Sequence, residues 1–170
     1  KLRQSEAYLA EAQRLSHAGS WALDVASNEY VYSSEEFLRI FGSVRTWDAA
    51  LQRIHPDDRE RVKRNVEHVI RTRADAVDEY RIALPDGTLR HIHVIRHPVL
   101  NEAGEVVQLV GTVLDITERK RAEQEVRDTA AQWQATFDAV QDVVLLLDTD
   151  GRILRANHAA AEFLGLPGDD

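Results

Sequence analysis

The stretch that decides the fold runs from Glu79-Tyr80-Arg81-Ile82 through Pro85-Asp86-Gly87 to Gly111-Thr112-Val113-Leu114-Asp115-Ile116-Thr117-Glu118-Arg119-Lys120. It predicts three consecutive antiparallel strands joined by tight turns, and the last strand leads directly into a charged helix. Asp86-Gly87 predicts a type I′ hairpin turn, which needs positive φ at both central residues, and Asn101-Glu102-Ala103-Gly104 predicts a second turn. Strands of this length form a sheet.

The residues before this stretch predict a leading helix and a hairpin. Residues 1–17 are rich in Ala, Leu, Glu, Gln and Arg, which favour helix, and their apolar residues recur at near-heptad spacing. We therefore expect an N-terminal amphipathic helix. Residues 21–25 and 29–32 alternate across a Ser27-Asn28 turn, which is typical of a β-hairpin.

Three capping patterns predict short helices between this hairpin and the later strands. Ser33 or Ser34 is placed to cap a helix over residues 35–41, Thr46 to cap another, and Pro56 occupies the first turn of a third. The third helix has an apolar stripe and is expected to lie against the sheet. The stripe comprises Val62, Val66, Val69 and Ile70.

The strand predicted over residues 106–116 is apolar on both faces. Val110, Leu114 and Ile116 alternate with a second apolar set. The second set comprises Val107, Leu109 and Val113. An antiparallel strand of this kind must be covered on both sides. The short helices can cover one face, and the N-terminal helix, a partner subunit or both would cover the other.

A long helix is predicted from about Thr117 to Ala139. Its apolar residues are spaced three or four apart, close to a coiled-coil seam with one irregularity. They are Ala122, Val126, Ala130, Trp133, Phe137 and Val140. The alternative is a helix packed on its own domain. The polar and charged residues at the other positions favour a homodimeric seam through Val126, Ala130, Trp133 and Phe137.

The chain also contains an internal repeat. A shift of about 124 residues aligns Trp21-Leu23-Asp24 with Leu145-Leu147-Asp148, and one residue of slack then aligns residues 34–42 with residues 157–165. Residues 142–170 therefore predict the opening of a second domain of the same kind. Because this copy stops after a hairpin and a helix, we expect the chain to be part of a longer protein.

Composition excludes several classes of function. The 170 residues are 44% hydrophobic and 29% charged, which is ordinary for a globular protein, and the formal net charge of −8 argues against a nucleic-acid surface. No cysteine is present, so no disulfide, thiolate nucleophile or cysteine zinc site is possible. With no apolar run of membrane-spanning length and no signal-peptide pattern, no membrane span and a cytoplasmic location are expected.

Four motifs in order carry a family resemblance. They are His55-Pro56-Asp57-Asp58-Arg59, Glu79-Tyr80-Arg81, Asp86-Gly87 and Asp115-Ile116-Thr117-Glu118-Arg119-Lys120. Together they resemble a PAS domain with its C-terminal PAC segment, of the PAS fold-3 type found in bacterial multi-PAS sensors. The resemblance covers roughly residues 18–123. It implies an α+β fold, a five-stranded antiparallel sheet with short helices on one face and flanking amphipathic helices.

The resemblance also implies a domain layout. The N-terminal helix, residues 1–17, precedes a PAS/PAC sensor domain over 18–117. A signalling helix over 118–140 then leads to the truncated start of a second PAS domain over 141–170. By the same resemblance, Asp115 and Thr117 couple sheet movement to the signalling helix. From the residues alone, Thr117 can cap that helix and Asp115 can bind nearby donors, so an ordinary cap remains the alternative.

A small-molecule pocket between the helices and the sheet is the second candidate site. Its expected lining is Trp47, Val66, Ile70, Tyr80 and Ile82. A flavin or a small metabolite is open as a ligand, since aromatic residues could stack on a ring, but no diagnostic residue identifies one. The absence of cysteine excludes the cysteinyl-flavin photocycle and the thioester-linked chromophore of other PAS proteins. His68 is the only histidine placed to hold haem, and helical spacing directs it to solvent.

Other motifs carry less chemistry. His91, His93 and His97 share one strand face, but without carboxylate or cysteine partners at ligand spacing they indicate a polar outer face or an interface. Asp148-Thr149-Asp150-Gly151 resembles the start of a calcium loop but lacks the remaining ligands, so a hairpin turn is expected. No phosphate loop, nucleophile elbow or kinase motif is present.

The sequence thus predicts a sensory and dimerisation PAS module without catalytic residues. By resemblance its parent is a two-component sensor histidine kinase, or else a diguanylate cyclase or phosphodiesterase, with the output domain outside these residues. Two alternatives remain open here. One is a ligand-free interaction module, and the other is a flavin or haem sensor of redox state, gas or light.

Overall fold

The computed structural model describes residues 17–165, and the chain divides into two units, residues 1–120 and 121–170. Apart from His17, the predicted N-terminal helix lies outside the described residues. Among its described residues, the first unit contains five strands and three helices before the long helix begins. They are β1 (Ala18–Asp24), β2 (Glu29–Ser33), α1 (Glu35–Phe41), α2 (Trp47–Arg53), α3 (Pro56–Thr72), β3 (Ala76–Ala83), β4 (Leu89–Leu100) and β5 (Val106–Asp115).

The five strands form one antiparallel sheet in the order β2-β1-β5-β4-β3. The hairpins β1–β2, β3–β4 and β4–β5 join neighbours in sequence, whereas β1 and β5 pair across the whole domain. The predicted α+β PAS architecture is confirmed.

Local capping explains where the short helices begin. The Ser34 hydroxyl accepts a hydrogen bond from the Phe37 N–H at 3.2 Å, and the Thr46 hydroxyl accepts one from the Ala49 N–H at 3.2 Å. The Ser34 hydroxyl also accepts the Ser20 N–H at 2.9 Å. This hydroxyl therefore starts α1 and ties it to β1. Both predicted caps are confirmed.

The core lies between the helices and one face of the sheet. Alternate residues of each central strand point into it, as the period of two in a strand requires. The α3 stripe packs there as predicted, with Val62, Val66 and Val69 buried and Ile70 half-buried. The strands β1, β3, β4 and β5 contribute Leu23, Tyr80, Ile82, Ile92, Val94, Leu109 and Val113.

The β3–β4 turn differs from the predicted type I′ geometry. Gly87 has φ of +84°, but Asp86 is not among the described residues with positive φ. The Gly87 N–H donates to the Leu84 carbonyl at 2.9 Å, so Pro85 and Asp86 are the central residues of the turn. Proline fixes φ near −65°, which excludes a left-handed conformation at the first central position.

The outer face of the sheet is partly apolar, as the pattern of β5 predicted. Leu109 and Val113 are buried in the core, while Val110 and Leu114 point to the other face and are half-buried. Val77 and Ile95 lie on the same outer face and are 61% and 42% exposed. The sheet therefore presents an apolar surface among its outward polar residues.

The second unit follows within the long helix α4 (Thr117–Ala139), whose bounds match the prediction. It contains the hairpin β6 (Leu145–Leu147) and β7 (Ile153–Ala156), then α5 (His158–Leu164). Asp148 accepts the N–H groups of Asp150 and Arg152 at 2.9 and 2.8 Å, so this segment is the predicted hairpin turn.

The internal repeat is visible in one capping device. Asn157 is fully buried, and its Oδ1 accepts the N–H groups of Ala160 and Val144, both at 3.0 Å. Ser34 makes the same two contacts in the first unit, to the third residue of its helix and to the first strand. The residues that the repeat aligns, Ser34 and Asn157, therefore have the same capping role in both units.

Gly111 of β5 generates a stability prediction. A Cβ on Gly111 would lie 2.1 Å from the Ile95 carbonyl oxygen and 2.7 Å from Cζ2 of the Trp21 indole. Because Gly111 sits in the centre of the sheet, neither neighbour can yield without disturbing pairing or core packing. We predict that Gly111→Ala lowers the free energy of unfolding by about 1–3 kcal/mol, measured by urea denaturation.

The neighbouring Thr112→Ala is the control, since Thr112 is exposed and its truncation should cost less than about 0.5 kcal/mol. Equal stability of Gly111→Ala and the wild type would contradict the close packing of Trp21 over β5.

Candidate functional site

The junction of β5 and α4 is held by a small hydrogen-bond network around Thr117. The Thr117 hydroxyl donates to Asp115 Oδ1 at 2.5 Å and accepts the His91 N–H of β4 at 3.0 Å. Asp115 Oδ1 also accepts the Thr117 N–H at 2.9 Å, and the Ile116 N–H donates to the His91 carbonyl at 2.9 Å. Three consecutive residues thus tie the start of the helix to one residue of the neighbouring strand.

The two junction side chains divide their roles differently from the simplest expectation. Thr117 is the first residue of α4, and the backbone N–H that its hydroxyl accepts belongs to the sheet rather than to the helix. Asp115 is the residue whose side chain accepts a helical N–H. Asp115 therefore acts as the local cap, and Thr117 is the direct link between sheet and helix.

Glu79 forms a second link that sequence reasoning did not identify. From the outer face of β3, its carboxylate binds Lys120 Nζ and Arg119 Nη2 in the first turn of α4, each at 2.8 Å. It also lies 3.4 Å from His93 Nδ1. The hydrogen bond from Lys120, supported by those from Arg119 and His93, lowers the pKa of Glu79 to about 2. The sequence did offer one indication of this contact. Because side chains alternate along a strand, Glu79 must point to the outer face when its neighbour Tyr80 points into the core.

The motif residues Asp58 and Arg81 are structural partners. Arg81 binds the Asp58 carboxylate through Nε at 2.9 Å and Nη2 at 3.0 Å, and the Arg81 N–H donates to it at 3.0 Å. These contacts, led by the Arg81 side chain, lower the pKa of Asp58 to about 2. The pair fastens the start of α3 to β3, which explains why both residues belong to one sequence pattern.

The core contains a small cavity of about 10 Å³ between the sheet and the helices, room for about one water. Three of the expected pocket residues line it, namely Trp47, Val66 and Tyr80. Ile82 and Ile70 belong to the surrounding core instead. The lining also includes Arg96, a buried charge on β4 that sequence reasoning missed.

The cavity does not fit a flavin or a haem. Cofactor sites typically occupy about 300–1,000 Å³, far more than the space between these side chains. His68 is exposed on α3, as predicted, and does not line the cavity.

The histidines of β4 lie on its outer face, as their parity predicted. His93 and His91 are half-buried, and exposed His97 lies 2.6 Å from Asp75 Oδ1. Within residues 17–165 there is no group of three or more His, Asp or Glu side chains that could hold a metal ion.

Three of the predicted seam residues on α4 are exposed. They are Val126, Ala130 and Trp133, whereas Phe137 is half-buried. The Trp133 and Phe137 rings stack at 4.8 Å, and Arg155 of β7 lies over the Trp133 ring at 4.8 Å.

Across the described part of the chain, no helix combines the length and apolar character that crossing a membrane requires.

We predict that Glu79→Gln destabilises the domain at neutral pH and that the difference shrinks in acid. Because the folded-state pKa is depressed to about 2, the stabilisation is fully present above the unfolded pKa of about 4.3 and is lost as the pH falls through the folded value. Urea unfolding at several pH values measures this. Glu102→Gln, in an exposed turn, is the control. A deficit that persists unchanged to pH 2 would contradict the ion-pair assignment.

Comparison with known proteins identifies relatives of each unit. A family model described as the PAS fold matches residues 30–113, and one described as a PAS domain matches residues 131–170. The chain is 28% identical over 119 residues to the probable diguanylate cyclase DgcE of Escherichia coli, covering 70% of this chain and 11% of that protein. It is 28% identical over 120 residues to the sensor protein FixL of Bradyrhizobium diazoefficiens, covering 71% and 24%.

Among solved structures, the sensory box histidine kinase/response regulator of Burkholderia thailandensis is 30% identical, with a TM-score of 0.61. The match covers 75% of this chain and 98% of that one. The match spans about a tenth of the length of DgcE and about a quarter of the length of FixL. Together with the five-stranded sheet and its helices, these matches show that the chain belongs to the PAS domain family.

Proposed function

We propose that this PAS domain is a sensory and dimerisation module that passes a signal from its pocket or dimer contact to an output domain through α4. The observation that carries the proposal is the attachment of α4 at two places. Thr117 is bonded to β4 at His91, and the Glu79 carboxylate of β3 holds Lys120 and Arg119. A shift of β3 or β4 would therefore move the base of the helix.

The same strands connect the cavity to the junction. Tyr80 lines the cavity, and its neighbour Glu79 points to the opposite face and binds α4. A change in the cavity that displaces β3 would alter these ion pairs. The altered ion pairs would shift α4 from one packing arrangement to the other. This is the route by which we expect the signal to travel.

The seam of α4 supports a homodimer. Val126 is 70% exposed and Trp133 44% exposed, and both lie on the apolar stripe. Exposed large apolar residues at near-heptad spacing are stabilised when a second helix covers them. Pairing of two chains along this stripe gives α4 the partner against which its register or rotation can change.

The output belongs to the whole protein. DgcE is a probable diguanylate cyclase, and the Burkholderia relative is a histidine kinase/response regulator. We propose that the whole protein is a sensor histidine kinase, with a diguanylate cyclase or phosphodiesterase as the alternative. Residues 141–170 would then be the start of a second PAS domain between sensor and output. A ligand-free dimerisation module is the competing function, favoured by the small cavity.

The junction yields a prediction for signalling. Asp115→Ala removes the acceptor of two Thr117 hydrogen bonds, a loss of about 1–3 kcal/mol, comparable to the gap between two signalling states. We expect faster hydrogen exchange at Thr117 and His91 and a shifted basal output of the full-length protein.

Asp115→Asn keeps an acceptor oxygen and should retain most regulation, which makes it the matched control. Wild-type basal level and amplitude in the Asp115→Ala protein would show that the junction is only a cap. The signal would then have to leave through the dimer interface.

The dimer is tested by the double substitution Val126→Glu and Phe137→Glu. Two carboxylates buried at a helix seam cost several kcal/mol unless they are paired, so light scattering should report a monomer while the sheet stays folded. The control places the same charges at exposed Ala131 and Ala135 on the opposite side of α4. The control variant should remain a dimer. A dimer that survives the seam substitutions would overturn the proposed seam.

A further inference from the structure

The Glu79 carboxylate at the base of α4 is shared by three basic groups from two elements. Lys120 Nζ lies 2.8 Å from Oε2, and Arg119 Nη2 lies 2.8 Å from Oε1. His93 Nδ1 of the neighbouring strand β4 lies 3.4 Å from the same oxygen, Oε1. The guanidinium and the imidazole therefore compete for one acceptor atom. Of the three groups, the imidazole is the one whose charge changes near neutral pH.

Strand register fixes the position of His93. It lies directly opposite Glu79 in the β3–β4 pairing and opposite Leu114 in the β4–β5 pairing. The His93 side chain is 29% exposed, and those of Glu79 and Lys120 are 38% and 35% exposed. Charges that are partly shielded from water interact more strongly than fully exposed charges. A proton gained by His93 therefore acts on the neighbouring cations of α4.

The charged and titratable groups around His93, within the described part of the chain, come from β3, β4 and the first turn of α4, whereas β5 places uncharged Leu114 opposite it. They are Glu79 and Arg81 of β3, His91 of β4, and Glu118, Arg119 and Lys120 of α4. Arg81 is held by Asp58, and Glu118 is exposed. Glu79 and its two α4 partners carry a net charge of +1 while His93 is neutral, and a proton on His93 raises the charge of this cluster to +2.

Glu79 keeps its own charge throughout the range in which an imidazole titrates. The hydrogen bond from Lys120, with those from Arg119 and His93, lowers the pKa of Glu79 to about 2. An ordinary imidazole gains its proton near pH 6.5, at about the midpoint of the range from pH 5 to pH 8. As the pH falls, the imidazole therefore becomes charged while the carboxylate that it faces remains ionised.

We propose that His93 is a proton-sensitive switch in the attachment of α4 to the sheet. At neutral pH, Glu79 holds Arg119 and Lys120, and the first turn of α4 is fastened to β3. In weak acid, protonated His93 takes Oε1 from Arg119, and the added positive charge weakens the contact of Lys120 as well. This inference rests on the proposed sensory function, because it names one input that acts directly on the helix that carries the signal.

The experiment measures amide hydrogen exchange of the wild-type chain at about pH 7.5 and about pH 5.5, on either side of an ordinary imidazole titration. The Lys120 N–H is the reporter, since it donates to the Ile116 carbonyl at 2.9 Å in the first turn of α4. Its protection factor, which removes the intrinsic pH dependence of exchange, should fall by about two- to fivefold in acid, the size expected for loss of a partly exposed ion pair. The amides that pair β4 with β5 should keep their protection.

Three variants assign the effect to His93. His93→Gln removes the titration and should leave Lys120 equally protected at both pH values. His93→Lys carries a fixed positive charge, so its Lys120 protection should be low at both. His97→Gln is the matched control, because His97 lies on the same face of β4 and pairs with a different carboxylate, Asp75, at 2.6 Å. This control should keep the wild-type response to pH.

An unchanged Lys120 protection factor in the wild type, or a response to pH that persists in His93→Gln, would overturn the switch. If His93→Gln does not fold, the wild type alone decides. The change at Lys120 must then have the same midpoint as the His93 imidazole titration measured by NMR, and separate midpoints would overturn the proposal.

This outcome is separable from that of the sensory function. A Lys120 amide that responds to pH, in a protein whose output is unchanged by Asp115→Ala, would uphold the switch and contradict transmission through the junction. An output that Asp115→Ala alters, with Lys120 protection independent of pH, would do the reverse.

Discussion

The pairing of β4 with β5 is the constraint on which the rest of this structure depends. Its register places Ile92 opposite Asp115 and Val94 opposite Val113. Because side chains alternate along a strand, a slip of one residue would move the inward-facing residues of the slipped strand to the outer face of the sheet. The same register brings the end of β5 beside His91, where Thr117 finds the backbone N–H that it accepts. Core packing and helix attachment are therefore set by one alignment.

In this alignment, the two faces of β3 and β4 have different contacts. On the inner face, Tyr80 and Arg96 line the cavity, and on the outer face Glu79 and His93 meet near the base of α4. The backbone between them is shared. Under the proposed function, a disturbance on the inner face reaches the helix through a single layer of sheet, without a long chain of contacts.

The two units share the same kind of buried helix cap. Buried Ser34 and Asn157 each accept one N–H from the following helix. Each also accepts a second N–H, which for Ser34 comes from Ser20 of β1 and for Asn157 from Val144, the residue just before β6. Asn157 adds two donations, to the Val140 and Asp142 carbonyls, which tie the end of α4 to the β6–β7 hairpin. A polar side chain that forms several hydrogen bonds to backbone groups can be buried at little cost. In each unit, such a side chain fixes the start of the helix that follows the first hairpin.

Much of this protein was determined by its sequence alone, because local signals are sufficient where neighbours in the chain are also neighbours in space. Ser34, Thr46 and Pro56 mark helix starts, alternation marks the strands, and the repeat marks the second unit. The type I′ turn was wrongly predicted because Pro85, one residue earlier than expected, takes a central position. Only the tertiary structure decided the sites. Thr117 meets His91, Glu79 meets Lys120, and Arg96 shares Asp78 with Arg61 across 17 to 41 positions of sequence. No local sequence pattern specifies these contacts, because they depend on strand register. Register is in turn set by the packing of the whole core.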